Sequence, residues 1–594
     1  MTQVQKYRKL RVLTVAALLT TLSSACSPAH KSDPYYQAEA LTKVAVKYAQ
    51  VGQKDKALEI LAQVIELTKA INHKDGGGSK VHMLTEVAAG YAQAGRYDQA
   101  VKVADLIHSE TWRDVALKEV ALKTAEAGQY DRAIQLTKQM SKPTQNDRVA
   151  QTLAKIAIAA AQARHYDKAF QATNAVDTVA SYGELYKAST LAKIAKKATH
   201  IQPAPHAEQI LTQVFQLAQG IKHNKSKASA VAQLAVQYAV VGQKVKASQL
   251  LAQALQVAQT IKDSNDKEDT LSQLAIQYAV VGQKADAPQM LAQALQIAQT
   301  IKDKSIKAST LAEIAVSMAQ AGQKAKALQL LTQAIQVANS YSNGFTKEDV
   351  LTEIAVSYGK LGEYDRALTL LKPFGIGFTQ AKALTEIADL AAQAGQYNKA
   401  LQIAKSLEKS SSQRSKQEAE LDTELAEAEV AVRAAQAGQY EQALTILNPL
   451  KGNGGTSYSE DDEPFKNFPG SKTDALTKSA LHAARSKNYD QALMFVKSIM
   501  PWDSEKAKAW TEVVDEAMQA GQKDEAEQLL NQELRFVNSM NEDNDKASAL
   551  AEVAIRYVKL GKPDKASRLL DQALWIAENL NRQRVNLRLV RFSI

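Results

Sequence analysis

An internal repeat runs through almost the whole sequence and constrains the fold more than any other feature. Each unit carries a marker residue, usually a glycine that follows Tyr or Met, Ala, any residue, and Ala or Val. The chain contains 14 such units, and from marker 202 to marker 362 the spacing is 40 residues four times in succession. A period of this length is typical of repeat proteins, in which each unit packs mainly on its neighbours. The markers of units 1 to 14 are, in order, Gly52, Gly95, Gly128, Arg164, Gln202, Gly242, Gly282, Gly322, Gly362, Gly395, Gly438, Lys487, Gly521 and Gly561.

Two alanine positions support this register independently of the marker. Alanine stands five residues after the marker in all 14 units, and seven residues before it in 13 units, with Val514 as the exception. We expect these alanines at helix crossings, where a larger side chain would overpack the junction at a cost of about 1–3 kcal/mol. The predicted helix-crossing residues include Ala57, Ala100, Ala247, Ala287, Ala327, Ala367 and Ala400.

The segments on both sides of each marker have helical periodicity. In unit 8 the apolar residues before the marker are Leu311, Ile314, Ala315, Met318 and Ala319, and those after it are Ala327, Leu328, Leu331, Ala334, Ile335 and Ala338. This spacing predicts one amphipathic helix before the marker (helix A) and one after it (helix B). The marker glycine, for example Gly322, then supplies the left-handed position that ends helix A.

The repeat resembles the tetratricopeptide repeat, in which a small residue and a Tyr in helix A precede Gly-x-Tyr and an alanine of helix B. Ala88, Tyr91, Gly95, Tyr97 and Ala100 match this order. The resemblance covers about residues 37–580 and implies an all-α fold, a right-handed α-solenoid of about 14 stacked antiparallel helix pairs. Many units are 40 residues long instead of about 34. The extra length, about two helical turns, is predicted to extend helix B, and these units resemble the long repeats of kinesin light chains.

The first 25 residues predict an export signal. Four basic residues precede the apolar segment 12–22, which is too short to span a bilayer. Cys26, the one cysteine of the chain, follows directly and resembles the lipidated cysteine of a bacterial lipobox. Cleavage after Ala25 by ordinary signal peptidase remains the alternative. The sequence thus predicts an exported, periplasmic protein that is anchored to the membrane as a lipoprotein, with no other contact with the membrane.

Composition changes divide the chain into six predicted segments. They are a signal peptide (1–25), a tether (26–36), an array of about 11 units (37–451), a flexible loop or hinge (452–472), an array of about three units (473–580) and a basic tail (581–594). The loop is rich in Gly, Ser and acids, which favours a break in the array. The tail is either a frayed helix end or a basic contact for a partner or an anionic lipid.

The sequence contains no recognisable chemical motif. Its nine histidines are scattered without a metal-ligand spacing, and no nucleophile elbow, phosphate-binding glycine loop or dinucleotide fingerprint occurs. The 73 basic and 63 acidic residues are interspersed, which is not the clustered pattern of a nucleic-acid-binding protein. We therefore expect no enzymatic activity, no metal, no cofactor and no nucleic-acid partner.

The family resemblance places partner binding on helix A, which lines the concave groove of tetratricopeptide proteins. The groove positions fall ten, six and three residues before the marker, and the candidates are Thr42, Val46, Thr85, Ala89, Val236, Ser272, Ile276, Thr352 and Val356. They predict a small, apolar groove for extended or helical segments of a protein partner, although small residues could instead serve tight curvature alone. The predicted function is a non-catalytic protein–protein interaction scaffold of the bacterial cell envelope. The alternative is a structural, assembly or export accessory lipoprotein at the outer membrane.

Overall fold

The computed structural model describes residues 34–71, 78–140, 148–176, 183–201, 204–284, 288–340, 344–408, 416–450, 472–499, 503–541 and 543–591. Within these ranges the backbone forms 28 α-helices and no strand, and the helices alternate as helix A and helix B of 14 pairs. The predicted all-α stack of helix pairs is confirmed.

The helices A are α1 (Pro34–Gln50), α3 (Gly78–Gln93), α5 (Glu110–Glu126), α7 (Arg148–Gln162), α9 (Gly183–Ala198), α11 (Asn224–Val240), α13 (Ser264–Lys284), α15 (Lys304–Gln320), α17 (Gly344–Lys360), α19 (Phe378–Gln393), α21 (Lys416–Gln436), α23 (Lys472–Arg485), α25 (Asp503–Gln519) and α27 (Asp543–Lys559). The helices B are α2 (Lys54–Ala70), α4 (Tyr97–Ala104), α6 (Tyr130–Thr137), α8 (Tyr166–Asn174), α10 (Ala204–Gln219), α12 (Lys244–Gln259), α14 (Pro288–Thr300), α16 (Lys324–Asn339), α18 (Tyr364–Leu371), α20 (Tyr397–Lys405), α22 (Tyr440–Leu447), α24 (Tyr489–Lys497), α26 (Lys523–Ser539) and α28 (Pro563–Arg591).

The helices B fall into two length classes, as predicted. Seven of them have 8 or 9 residues, and every one of these seven begins with tyrosine. The long ones have 13 to 17 residues, apart from α28 with 29, and none begins with tyrosine. The difference of eight residues between α4 and α12 is about two turns, so the predicted extension of helix B is confirmed.

The turn between helices A and B depends on a left-handed residue at the marker. Ten marker glycines have φ between 73° and 86°, and Arg164 and Lys487 adopt the same conformation at 64° and 62°. Gly282 is an exception to the predicted turn, because α13 continues through it to Lys284. A Cβ at Gly282 would lie 3.0 Å from Cγ of Leu291, so glycine is used there for close packing. Gln202 lies outside the described residues.

The alanine positions predicted for the helix crossings are buried. Every described alanine five residues after the marker is at most 1% exposed, including Ala57, Ala100, Ala247, Ala327, Ala367 and Ala400. All 14 residues seven before the marker, Val514 among them, are 0% exposed. This burial is what close helix packing at these positions requires, and the assignment to helix crossings stays a prediction; Ala287 lies outside the described residues.

The array curves with the helices A on its inner side. Each helix A packs on the helix A before it and the one after it, whereas neighbouring helices B hardly touch over the described residues. Elements that converge on one side and separate on the other must bend the stack toward the side on which they converge. The helices A therefore form the concave surface.

The curvature brings the two ends of the array together. The first helix, α1, packs on α27 and α28 as extensively as it packs on α3, the helix A of the next unit. Between α1 and α28, Nε2 of Gln37 donates a hydrogen bond to the carbonyl oxygen of Glu578 at 3.1 Å. The chain thus forms a closed ring of 14 units, which the sequence analysis did not predict. We call the junction of α1 with α27 and α28 the seam.

The seam repeats the packing of an internal junction residue for residue. At the seam, Oη of Tyr48 donates a hydrogen bond to Oδ1 of Asp571 at 2.9 Å. Tyr48 lies four residues before the marker of unit 1, and Asp571 lies ten residues after the marker of unit 14. Between units 13 and 14, Tyr557 makes the same bond to Asn531 at 2.8 Å.

Two further contacts recur at the same positions. Lys56 and Lys565 each lie four residues after the marker of their unit. Lys56 contacts Asp571 at the seam, and Lys565 donates a hydrogen bond to Asn531 between units 13 and 14. These lysines also lie over the rings of Tyr48 and Tyr557, at 4.6 and 4.0 Å from the centroids. The ring therefore closes in register.

Several predicted segments lie partly or wholly outside the described residues. These are the signal peptide with Cys26, the tether up to residue 33, and loop residues 452–471. Helix α1 begins at Pro34, three residues before the predicted start of the array, and the backbone of α28 continues to Arg591 through most of the predicted basic tail. Among the described residues, no helix is both long enough and apolar enough to cross a membrane.

Candidate interaction face

The inner side of the ring carries a row of polar residues nine residues before each marker. Every member is charged or glutamine, and every member is exposed or half-buried. Because the helices A converge on this side, the row follows the concave surface around the ring. We call it the charged row; in units 1 to 14 its members are Lys43, Glu86, Glu119, Lys155, Lys193, Gln233, Gln273, Glu313, Glu353, Glu386, Glu429, Lys478, Glu512 and Glu552.

The residues predicted for the groove lie next to the charged row but are largely covered. Five of the nine are buried, namely Thr42, Thr85, Val236, Thr352 and Val356, and the other four, Val46, Ala89, Ser272 and Ile276, are half-buried. One residue along a helix is a rotation of about 100°, which turns the threonine positions toward the neighbouring helix A. Each threonine hydroxyl donates to the carbonyl of its own helix four residues earlier, for example Thr42 to Ala38 at 2.7 Å.

A cleft opens on this face between α9, α11 and α13. It has a volume of about 310 Å³, and Lys193 and Lys196 line one wall. We call it the lysine–glutamine cleft; its other lining residues are Ser189, Ala192, Gln233, Val236, Gln237 and Gln277. Its amides and ammonium groups can donate hydrogen bonds to carbonyl and carboxylate oxygens.

The lysines of this cleft differ from most other bases of the inner face in lacking an acidic partner. Among the described residues, neither Lys193 nor Lys196 has an ion pair, and both are exposed. Lys155 on the adjacent α7 is likewise exposed and without one.

Several bases elsewhere on the face are paired with acids. Lys43 pairs with Glu39 at 2.7 Å, Arg433 with Asp389 at 2.5 Å, and Lys478 with Asp474 at 2.8 Å. Among the described residues, the charged-row lysines without an ion pair are therefore Lys155 and Lys193, in units 4 and 5.

Acids dominate the face in units 8 to 11. Four consecutive members of the charged row there are glutamates: Glu313, Glu353, Glu386 and Glu429. Lys360 reaches two of them, at 3.4 Å from Glu313 and 3.9 Å from Glu386, and so offsets only part of the charge. The inner surface thus has a basic sector and an acidic sector.

A buried charge network underlies the face in units 13 and 14. Arg556 bonds Asp515 at 2.6 Å and Glu552 at 2.9 Å, and Glu552 also pairs with Lys47 across the seam. Below them, burial raises the pKa of Glu533 to about 7, although a hydrogen bond from Thr511 at 2.5 Å and the charge of Arg556 lower it. The carboxyl is completely enclosed and therefore cannot reach a substrate.

The described residues offer no other reactive arrangement. No group of three or more His, Cys, Asp or Glu side chains in these ranges could hold a metal ion. The predicted lipidation site, Cys26, lies outside them.

Comparison with known proteins extends only to the architecture. No protein-family model matches the sequence, and no curated protein matches it significantly. Among solved structures, the chain is similar to the pentatricopeptide repeat protein PPR10 from maize, with 14% identity, 90% of this chain and 68% of that chain covered, and a TM-score of 0.33.

Two further solved structures are similar at the same level. The APC/C hetero-tetramer Cut9-Hcn1 shows 15% identity over 89% of this chain and 91% of that chain, with a TM-score of 0.20. Ton1535 from Thermococcus onnurineus shows 17% identity over 68% of this chain and 99% of that chain, with a TM-score of 0.26. At these values the likeness carries no function over to this chain.

Proposed function

We propose that the chain is a non-catalytic interaction scaffold that binds a protein partner on the inner face of the ring. The observation that carries this proposal is the continuous charged row, which places an exposed or half-buried polar side chain on every unit, next to groove positions that are buried or half-buried. With helices A about 10 Å apart, 14 units provide a contour of about 140 Å. Such a length suits an extended partner that contacts several units.

We further propose that the first contact is an acidic segment of the partner in the lysine–glutamine cleft. Lys193 and Lys196 have no acidic partner within the part of the chain that the structure describes, so a carboxylate would gain charge-assisted hydrogen bonds there without displacing an ion pair. Gln237 and Gln277 can bond the backbone of an extended chain, as side-chain amides offer both donors and acceptors. A volume of about 310 Å³ is at the small end of binding sites, which favours one or two side chains over a whole helix.

The proposed location of this scaffold is the bacterial cell envelope, with the chain exported by its first 25 residues and anchored through lipidated Cys26. Its support is the order of basic, apolar and small residues before the one cysteine. Palmitate labelling of wild type and Cys26→Ser tests the anchor. Equal labelling, or no labelling of either, would contradict it.

Fluorescence anisotropy with a labelled, extended Glu-rich peptide tests the cleft in the full-length protein. Replacing both lysines, Lys193→Glu and Lys196→Glu, should weaken binding about tenfold or more, since two charge-assisted bonds are lost and repulsion replaces them. The matched control is Lys262→Glu with Lys302→Glu, which makes the same charge change at two exposed lysines outside the cleft.

The outcomes separate the cleft from general electrostatics. Equal weakening by both pairs of substitutions would show that net charge alone attracts the peptide. Retention of binding in the cleft variant would remove the cleft from the proposal. Envelope proteins captured by wild type, but lost with the cleft variant and kept with the control, would then be candidate partners.

A further inference from the structure

The seam is the junction of the ring that no covalent connection holds together. Each of the other 13 junctions joins units that are consecutive in the chain, so its two sides cannot separate far. The seam joins α1 to α27 and α28, more than 500 residues later. It can therefore open without the loss of any helix pair.

Both sides of the seam have the apolar composition of internal units. Eight of the 17 residues of α1 are buried, and Tyr48, whose hydroxyl reaches α28, is 0% exposed. On α28, Leu570, Ala573 and Ala577 are also 0% exposed. Stacked-repeat proteins normally need end units with a polar outer face to remain soluble. In this chain each end covers the apolar face of the other.

The contacts at the seam are those of a standard junction, so nothing in them requires that the two ends belong to one chain. Gln53, one residue after the marker of unit 1, contacts Ser567, six residues after the marker of unit 14, at 3.5 Å. Gln243 and Glu208 occupy the same positions between units 5 and 6, at 3.3 Å. Either end of one molecule therefore presents the surface that the opposite end of any other molecule requires.

We propose that α1 and the pair α27–α28 are matched docking surfaces that close the ring within one chain and, once the seam opens, accept the opposite end of a second copy of this chain. The interface is head-to-tail, and such interfaces form rings when the rotation closes. Two exchanged chains would make two seams and a larger closed ring. Within one chain the ends have a high effective concentration, so the closed monomer dominates in dilute solution.

Cross-linking tests closure and exchange separately in the full-length chain. In a Cys26→Ser background, Gln53→Cys and Ser567→Cys place one thiol on each side of the seam. With a short bis-maleimide, the doubly substituted chain should give a cross-linked monomer whose yield does not depend on protein concentration. The matched control combines Gln53→Cys with Lys326→Cys on α16 of unit 8, and it should give no such product.

Two singly substituted proteins test exchange. A chain with only Gln53→Cys and a chain with only Ser567→Cys cannot form this cross-link within one molecule, nor with a second copy of themselves. After mixing, a cross-linked heterodimer should appear and increase with concentration. Lys56→Glu in the Gln53→Cys chain should raise its early rate of formation about two- to fivefold, because the partly exposed pair with Asp571 is lost.

Each outcome decides one part of the proposal. Absence of the cross-linked monomer, with the circular dichroism of a folded helical protein, would overturn closure at the seam. Formation of the monomer without any heterodimer, at every concentration and after prolonged mixing, would overturn the exchange. A cross-linked homodimer of either singly substituted chain, formed at the same rate as the heterodimer, would show that the contact is not the seam.

Discussion

The buried carboxyl of Glu533 predicts a specific pH dependence for the stability of units 13 and 14. The side chain is 0% exposed, and its Oε2 has no hydrogen-bond partner among the described residues. Burial raises its pKa from 4.5 to about 7, so the folded state favours the protonated form. A carboxyl with a raised pKa contributes its full stability below about pH 4.5 and loses it as the pH rises through about 7.

The magnitude follows from the shift. Between pH 5 and pH 8, a change in pKa from 4.5 to about 7 corresponds to a loss on the order of 2–3 kcal/mol. The facing groups that also titrate or carry charge are Asp515, Glu552 and Arg556. A comparison of two variants therefore isolates the contribution of Glu533 better than wild type alone.

Amide hydrogen exchange of α25 to α27 measures this loss locally. After correction for the intrinsic pH dependence of exchange, the protection of wild type should fall between pH 5 and pH 8 by roughly 30- to 150-fold more than the protection of Glu533→Gln. The glutamine keeps an acceptor for Thr511 but has no proton to release. Asp524→Asn, an exposed acid on the same helix, should behave like wild type. Identical pH profiles for wild type and Glu533→Gln would refute the argument.

Two other substitutions test the architecture through thermal unfolding. Ala327→Leu should destabilise the protein by about 1–3 kcal/mol, since the alanine is 0% exposed at a predicted helix crossing, while Ala325→Leu, exposed on the same helix, should change stability little. An equal effect of both would contradict the crossing. Lys487→Gly should stabilise by about 1 kcal/mol because a lysine at φ 62° is strained, whereas Lys497→Gly in α24 should destabilise by a similar amount. A lower melting temperature for Lys487→Gly would contradict the strain.

The local architecture could be predicted from the sequence because the same residue pattern recurs in all 14 units. Markers and alanines recur in register, so the helix pairs, the turns and the two lengths of helix B could all be predicted. Gly282 departs from the pattern because its role depends on Leu291 of the following helix, a contact that the spacing of markers does not encode.

Closure could not be predicted, because it depends on the sum of small rotations over all 14 units. The sequence nevertheless contained a signal of closure. Tyr48 and Lys56 in unit 1 occupy the same positions as Tyr557 and Lys565 in unit 14, and the latter two contact Asn531 of the preceding unit. The first unit therefore carries residues suited to a neighbour on its outer side.

The inner face was predicted only in part. The family resemblance placed the concave side on the helices A, where the structure has it, but the chosen positions are turned by one residue toward the adjacent helix. The charged row was visible in the sequence as an unbroken series of Lys, Glu and Gln nine residues before the marker. Its division into basic and acidic sectors is meaningful only once the order of units on a ring is known.

Closure also changes how such a protein can deform. An open stack of helix pairs behaves as a spring, and each unit can adjust its angle independently of the distant ones. In the ring, the turns of 14 units must add up to a full circle, about 26° each on average. A partner that widens the angle between units 5 and 6 at the lysine–glutamine cleft forces other units to tighten or the seam to part. The circle thus makes distant units mechanically dependent on one another, without any dedicated chain of contacts between them.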